Sequence, residues 1–184
     1  MMRQKRGVAL QQIVQTAIDI ADREGLAAVT LSAVAERLQI RPPSLYNHVK
    51  GMDDLHSLLA LNGLNALLAI VCSAKEGKAG REALLAIAEA YVEFARKHPG
   101  LYAASLSQHG SEDPDFLQVS QEISSVLVET VRECGIQGGE ELHIVRGFRS
   151  LLHGFAALEA SGVFGMEIQV NDSLRYSVKR YLHN

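Results

Sequence analysis

An all-α fold is predicted from three observations. Apolar residues recur at spacings of three and four in one segment after another, the pattern of helices with one buried side. No segment alternates apolar and polar residues for long, as a half-buried strand would. Helix punctuation separates the segments: Gly25, Pro99-Gly100 and Gly135 are stops, and Asp113-Pro114 is a start.

The elements follow in order. Residues 8–25 predict a helix with Ile13, Ala17, Ile20 and Ala21 on one face and Gly25 at the stop. Thr30 is placed to cap a second helix carrying Leu31, Val34, Ala35 and Leu38 inward. A turn at 39–41 leads to Pro42 and Pro43, which suit the first turn of a third helix because no N–H is needed there. Ile40, Leu45 and Val49 then pack inward. Asp53 or Asp54 caps a long apolar helix reaching about residue 74, and KEGKAG at 75–80 ends it. Residues 81–98 place Leu84, Ile87, Tyr91 and Phe94 on one face, and a short helical segment over 101–106 follows. After Asp113-Pro114 a helix carries Phe116, Ile123, Leu127 and Val131 as far as Gly135. Past the connector IQGGEE come helices over 140–161 and 171–182, the last with Leu174, Val178 and Tyr181 on a face.

Composition sets the class. With 184 residues, 47% of them hydrophobic and 21% charged, the chain is expected to fold around a substantial core, not to remain disordered. Cys72 and Cys134 are too few for a disulfide framework; each is expected as a buried, reduced thiol on a helix, which fits a reducing cytoplasm. The opening MMRQKRGVALQQ has no signal-like apolar run and reads as a short basic arm. Residues 57–74 carry no charge, but Asn62, Gly63 and Asn65 interrupt them, so a central bundle helix is expected there and no membrane partner. Net charge is −3, unevenly placed: residues 1–50 carry seven basic against four acidic side chains, an excess of +3, which leaves −6 for the rest. A positive head on an acidic body suits a polyanionic partner gripped at one end.

Residues 30–50, TLSAVAERLQIRPPSLYNHVK, read as a helix-turn-helix. Once Ile40, Leu45 and Val49 turn inward, the outward groups are Ser44, Tyr46, Asn47 and His48, flanked by Arg41 and Lys50, a mixture of phosphate and base-edge partners. Thr30 and Ser32, at a helix start, are further phosphate candidates, although capping alone accounts for Thr30. Leu45, Tyr46, His48 and Val49 resemble the end of the recognition helix in the TetR family of bacterial transcriptional regulators, and residues 8–25 are similar to that family's first helix. Two departures stand out. The family often has Gly where Gln39 stands, so a positive φ there would cost roughly 1 kcal/mol. It usually has Lys where Met52 stands, a phosphate partner that Lys50 partly replaces.

The resemblance implies a DNA-binding domain over 1–50, with the helix-turn-helix at about 29–48, and a ligand-sensing and dimerising helical bundle over 53–184. It implies double-stranded DNA with a palindromic operator, a second copy of the chain and a small-molecule effector as partners, and no cofactor. Polar residues that interrupt apolar faces are the effector-site candidates: His56, Asn62, Asn65, Tyr102, Ser105, His109 and His153, with Gly63 giving room or a bend. In the helix over 140–161, Gly147, Ser150, Gly154, Ala157 and Ser161 form a stripe of small residues beside Ile144, Phe148, Leu151, Phe155 and Leu158. Two glycines inside one helix cost about 1 kcal/mol each, a penalty recovered where another backbone comes close. In the TetR arrangement the last two helices of each subunit build the dimer, so Gly147, Ser150, Leu151, Gly154, Ala157, Leu158 and Ser161 are the expected interface; packing within the chain is the alternative. His153-Gly154 also resembles a His-Gly pair of one TetR subgroup, with Arg149 where that subgroup has an aromatic residue.

Enzymatic signatures are missing: the chain contains no H-E-x-x-H, G-x-S-x-G, glycine-rich phosphate loop or C-x-x-C. His143 and His153 share a helix, but ten steps of about 100° leave about 80° between them, a poor placement for one metal ion. No catalytic or metal-binding residue is therefore expected. A helical metal- or ligand-binding protein or enzyme without operator binding is the rival reading, against a cytoplasmic repressor released from DNA by its effector.

Overall fold

The computed structural model describes residues 9–107, 112–165 and 167–182, and the described residues contain helices and no strand. The α-helices are α1 (Leu10–Glu24), α2 (Leu31–Arg37), α3 (Met52–Lys75), α4 (Gly80–Lys97), α5 (Pro99–Ser105), α6 (Pro114–Arg132), α7 (Glu141–Ala160) and α8 (Val170–Tyr181). Short 3-10 helices span Leu26–Ala28 and Pro42–Asn47. Residues 1–8 of the basic arm and the effector candidate His109 lie outside the described residues.

Two compact units are present, one drawn from Met1–Gly63 and Pro99–Asp113, the other from Leu64–His98 and Pro114–Asn184. The first unit therefore extends past the boundary expected at residue 50, and α3 contributes a half to each. The reason lies at α5. A Cβ on Gly100 would meet the Ala21 carbonyl carbon at 2.0 Å, so only glycine lets α5 rest directly on the α1 backbone. The Leu101 N–H donates to Asp22 Oδ1 at 2.9 Å, which satisfies a free donor at the start of α5 with an α1 carboxylate. Gly63 serves the same element: its missing Cβ would lie 2.7 Å from the Leu101 carbonyl oxygen, so the interruption in α3 makes space for α5 and not for a ligand.

Around this junction the first unit buries Ile13, Ala17, Ile20 and Ala21 of α1 as expected, together with Val34, Ala35, Leu45, Val49, Leu55 and Leu59. Leu31 and Leu38 are only half-buried, because α2 has just two turns and its ends overhang the core. The helix α3 starts at Met52, so Asp53 and Asp54 lie inside its first turn and not at the N-cap position. Asp54 sits in its first turn and accepts the Lys50 N–H at 2.8 Å, a position where a carboxylate also complements the helix dipole.

The second unit packs α4 against α6, α7 and α8. Leu84, Ile87, Tyr91 and Phe94 of α4 are buried, and Pro99 both stops α4 and opens α5. On α6, Val119 takes the inward place expected for Phe116, which is half-buried in the first turn. On α8, Leu182 joins Leu174 and Val178 inside, whereas Tyr181 is half-buried. Glu133 joins three elements: it accepts the Gly80 N–H at 2.8 Å and pairs with Lys75 at 3.0 Å, and those two interactions, the backbone bond first, hold its carboxyl below the usual range. Cys72 is exposed and Cys134 half-buried, against the expectation of two buried thiols; the inward position beside Cys72 belongs to Val71. By length and composition α3 is the one described helix apolar enough to cross a bilayer, but Leu55, Leu59, Ala60, Leu64, Leu67 and Val71 are buried inside the protein.

Candidate nucleic-acid interface

The element from Thr30 to Lys50 is built by local chemistry that the sequence announces. Thr30 is extended and its hydroxyl accepts the Ala33 N–H at 3.0 Å, the N-cap of α2. At the other end the Gln39 N–H donates to the Glu36 carbonyl and the Ile40 N–H to the Ala35 carbonyl, both at 3.0 Å. That pair of bonds is a Schellman motif, which needs its first residue beyond the cap in the left-handed region. Gln39 fills that place with φ 55°, so the turn does impose the strain that Gly avoids.

The second helix of the motif departs from the expected α-helix. Pro42–Asn47 is a 3-10 helix, entered from an extended Arg41, with Ser44 N–H donating to the Arg41 carbonyl at 2.9 Å and His48 N–H to the Leu45 carbonyl at 2.8 Å. Pro42 and Pro43 hold φ at roughly −65°, a value that 3-10 and α-helices share, so they start the segment without deciding between the two. An i→i−4 bond, Val49 N–H to Leu45 carbonyl at 3.0 Å, closes the segment. Leu45 and Val49, at 0% and 1% exposure, anchor it to the core.

Every side chain expected to face DNA is exposed: Thr30, Ser32, Arg41, Ser44, Tyr46, Asn47, His48 and Lys50. Tyr46 keeps 60% of its surface in water, a large exposure for an aromatic side chain. No acidic residue lies between Arg37 and Asp53, and Arg37 itself is paired with Glu24. Arg41 and Lys50 therefore bracket the face with positive charge. Pro42 and Pro43 are exposed on it too; sequence reasoning assigned them only a starting role, because the 3-10 geometry that turns Pro43 outward leaves no apolar period to read.

The effector candidates divide differently from expectation. His56, Asn62, Tyr102 and Ser105 belong to the first unit, Asn65 and His153 to the second. Ser105 is buried with its hydroxyl donating to the Tyr102 carbonyl at 2.7 Å; Tyr102 is buried and His56 half-buried. Asn62 borders an open groove of about 500 Å³ with Gln11, Gln15, Ile18 and Leu58, and its amide donates to the Leu58 carbonyl. Asn65 and His153 are exposed.

Along α7 the inward row is Val145, Phe148, Leu152 and Ala156, so the small-residue stripe faces away from the core of its own unit. Ser150, Ala157, Leu158 and Ser161 are exposed, and Leu151 and Gly154 half-buried with open space beside the missing Gly154 Cβ. Gly147 has an intrachain reason instead. Tyr181 crosses it, with its hydroxyl donating to the Ile144 carbonyl at 3.0 Å, and a Gly147 Cβ would sit 2.1 Å from that hydroxyl.

An all-helical chain that carries a helix-turn-helix and a separate helical unit defines a class of DNA-binding regulator, and similarity to known proteins agrees. Residues 84–181 match the family described as "Tetracyclin repressor-like, C-terminal domain". The chain is 35% identical over 182 residues to the helix-turn-helix-type transcriptional regulator YobS of Bacillus subtilis, covering 98% of this chain and 94% of the relative. It is 31% identical over 154 residues to the helix-turn-helix-type regulator Rv0681 of Mycobacterium tuberculosis, covering 83% and 71%. In fold it is similar to a Rhodococcus protein of unknown function (TM-score 0.82, 20% identity, 99% and 97% coverage) and to the TetR family transcriptional regulator PfmR of Thermus thermophilus (TM-score 0.70, 16% identity, 96% and 97%). The chain belongs to the TetR family of helix-turn-helix transcriptional regulators.

Proposed function

We propose that the protein is a cytoplasmic, homodimeric repressor that grips a palindromic operator through the Thr30–Lys50 face and lets go when a small molecule binds. One observation carries this reading: eight polar and basic side chains stand exposed on a helix-turn-helix whose opposite side, Leu45 and Val49, is sealed in the core. Membership of a family of transcription regulators favours it over an enzymatic or metal-binding role.

A second copy is supported by the outward α7 stripe and by apolar residues left in water near it in sequence, Leu158 at 47%, Val163 at 60%, Ile168 at 63% and Tyr176 at 66% exposure. Two reading heads related by a dyad require half-sites about 34 Å apart, or a multiple, to enter major grooves on one side of the duplex. The effector is apolar or amphipathic, with His56, Tyr102 and Ser105 as the inward-placed polar groups. The helix α3, which carries His56 and begins two residues after Lys50, is the covalent path from effector to head. A ten- to hundredfold release needs only about 1.4 to 2.8 kcal/mol of coupling.

The test is binding to duplexes selected from a random pool. Tyr46→Ala and His48→Ala are expected to weaken binding to the selected duplex while leaving the helical circular dichroism and melting temperature unchanged. Undiminished affinity in both variants would remove the assignment of this face.

A further inference from the structure

The 3-10 geometry at Pro42–Asn47 sorts the outward side chains into rows. With three residues per turn, residues i and i+3 eclipse each other. Leu45, wholly buried, sets the inward direction at the middle of the segment; Pro42, one turn earlier in the same row, is exposed at its start. One outward row then holds Ser44 and Asn47, and the other Pro43 and Tyr46, all four exposed. The two rows differ in chemistry. Ser44 and Asn47 are short and carry hydrogen-bonding groups, so they touch only atoms that the element approaches closely. Pro43 and Tyr46 offer ring faces, suited to sugar or a thymine methyl group. The long cations Arg41 and Lys50 flank the segment at its two ends, with the reach to meet phosphates on the groove walls.

We propose that Asn47 is the side chain that sets base specificity and that it selects an adenine in each half-site, with Ser44 beside it in the same row. A carboxamide presents one donor and one acceptor side by side, and in the major groove adenine offers the matching acceptor N7 and donor N6. Guanine presents two acceptors there, which leaves the amide's carbonyl oxygen without a donor. The inference rests on the operator-binding reading above and adds to it the residue and the base.

Random-duplex selection with the wild type and with Asn47→Ala tests both ideas separately. The wild type is expected to select a palindrome with adenine at one position per half-site, preferred about 5- to 150-fold over other bases, the range of a good bidentate pair. Asn47→Ala, at an exposed position and so folded, is expected to lose that preference alone and keep the rest of the consensus. Replacing the selected adenine by 7-deazaadenine, which lacks the N7 acceptor, is expected to weaken the wild type and leave Asn47→Ala unaffected. A wild-type consensus that Asn47→Ala reproduces with equal discrimination, or a selected half-site without adenine, overturns the assignment while operator binding stands. A wild type that selects no sequence brings down both.

Discussion

Gly100→Ala is the most searching test of how the first unit is assembled. The added Cβ would lie 2.0 Å from the Ala21 carbonyl carbon, 2.1 Å from its oxygen and 2.5 Å from the Asp22 nitrogen. These are backbone atoms of α1, with no flexible side chain to move aside. Ordinary carbon–carbon separations begin near 3.5 Å, so α5 must retreat from α1 by about 1.5 Å. That movement stretches the Leu101 N–H bond to Asp22, now 2.9 Å, beyond hydrogen-bonding range. Overpacking costs about 1–3 kcal/mol and a hydrogen bond to a charged group contributes about 1.5–3 kcal/mol. Alanine recovers less than about 1 kcal/mol in helix propensity. The net expectation is a destabilisation of about 3 kcal/mol, which in a chain of this size lowers Tm by about 6–12 °C. Thermal melts followed by circular dichroism measure it. Asp22→Ala supplies an internal check: its penalty should shrink in the Gly100→Ala background, where the bond to Leu101 is already broken. A Gly100→Ala protein that melts with the wild type, or full additivity of the two substitutions, refutes the packing argument.

Three further outcomes are expected. Lys50→Ala should weaken binding to all duplexes alike and reduce the salt slope by about 1, the share of a single neutralised phosphate; an unchanged slope in a titration series removes Lys50 from the interface. Gly154→Leu, which places a bulky side chain in the open space on the outward face of α7, should shift sedimentation toward monomer, and a dimer of normal stability would return that stripe to its own chain. Gln39→Gly should raise stability by up to about 1 kcal/mol in urea denaturation, because it relieves the left-handed φ of the Schellman turn; a drop in stability would show that the glutamine side chain holds the turn.

The all-α class, the face of α1, the Thr30 cap and the exposed set from Arg41 to Lys50 were legible from residue order alone. Each depends on interactions within a few positions along the chain: a hydroxyl three residues from an amide, apolar groups one turn apart, a proline where no donor is needed. The sequence also located the position of strain, since Gln39 stands where a turn calls for glycine. Residue order left open which backbones touch. Gly63, Gly100 and Gly147 look alike as interruptions of helical stretches, yet the first two admit α5 and the third admits the Tyr181 ring. Among the described residues nothing lies within 4 Å of the place a Gly154 Cβ would take. Such approaches join residues tens of positions apart, and a missing Cβ records only that something lies close, never what. The same holds for α5, whose seven residues carry too weak a period to declare a partner; its place on α1, and with it the extent of the first unit, was decided by tertiary packing against Ala21 and Asp22.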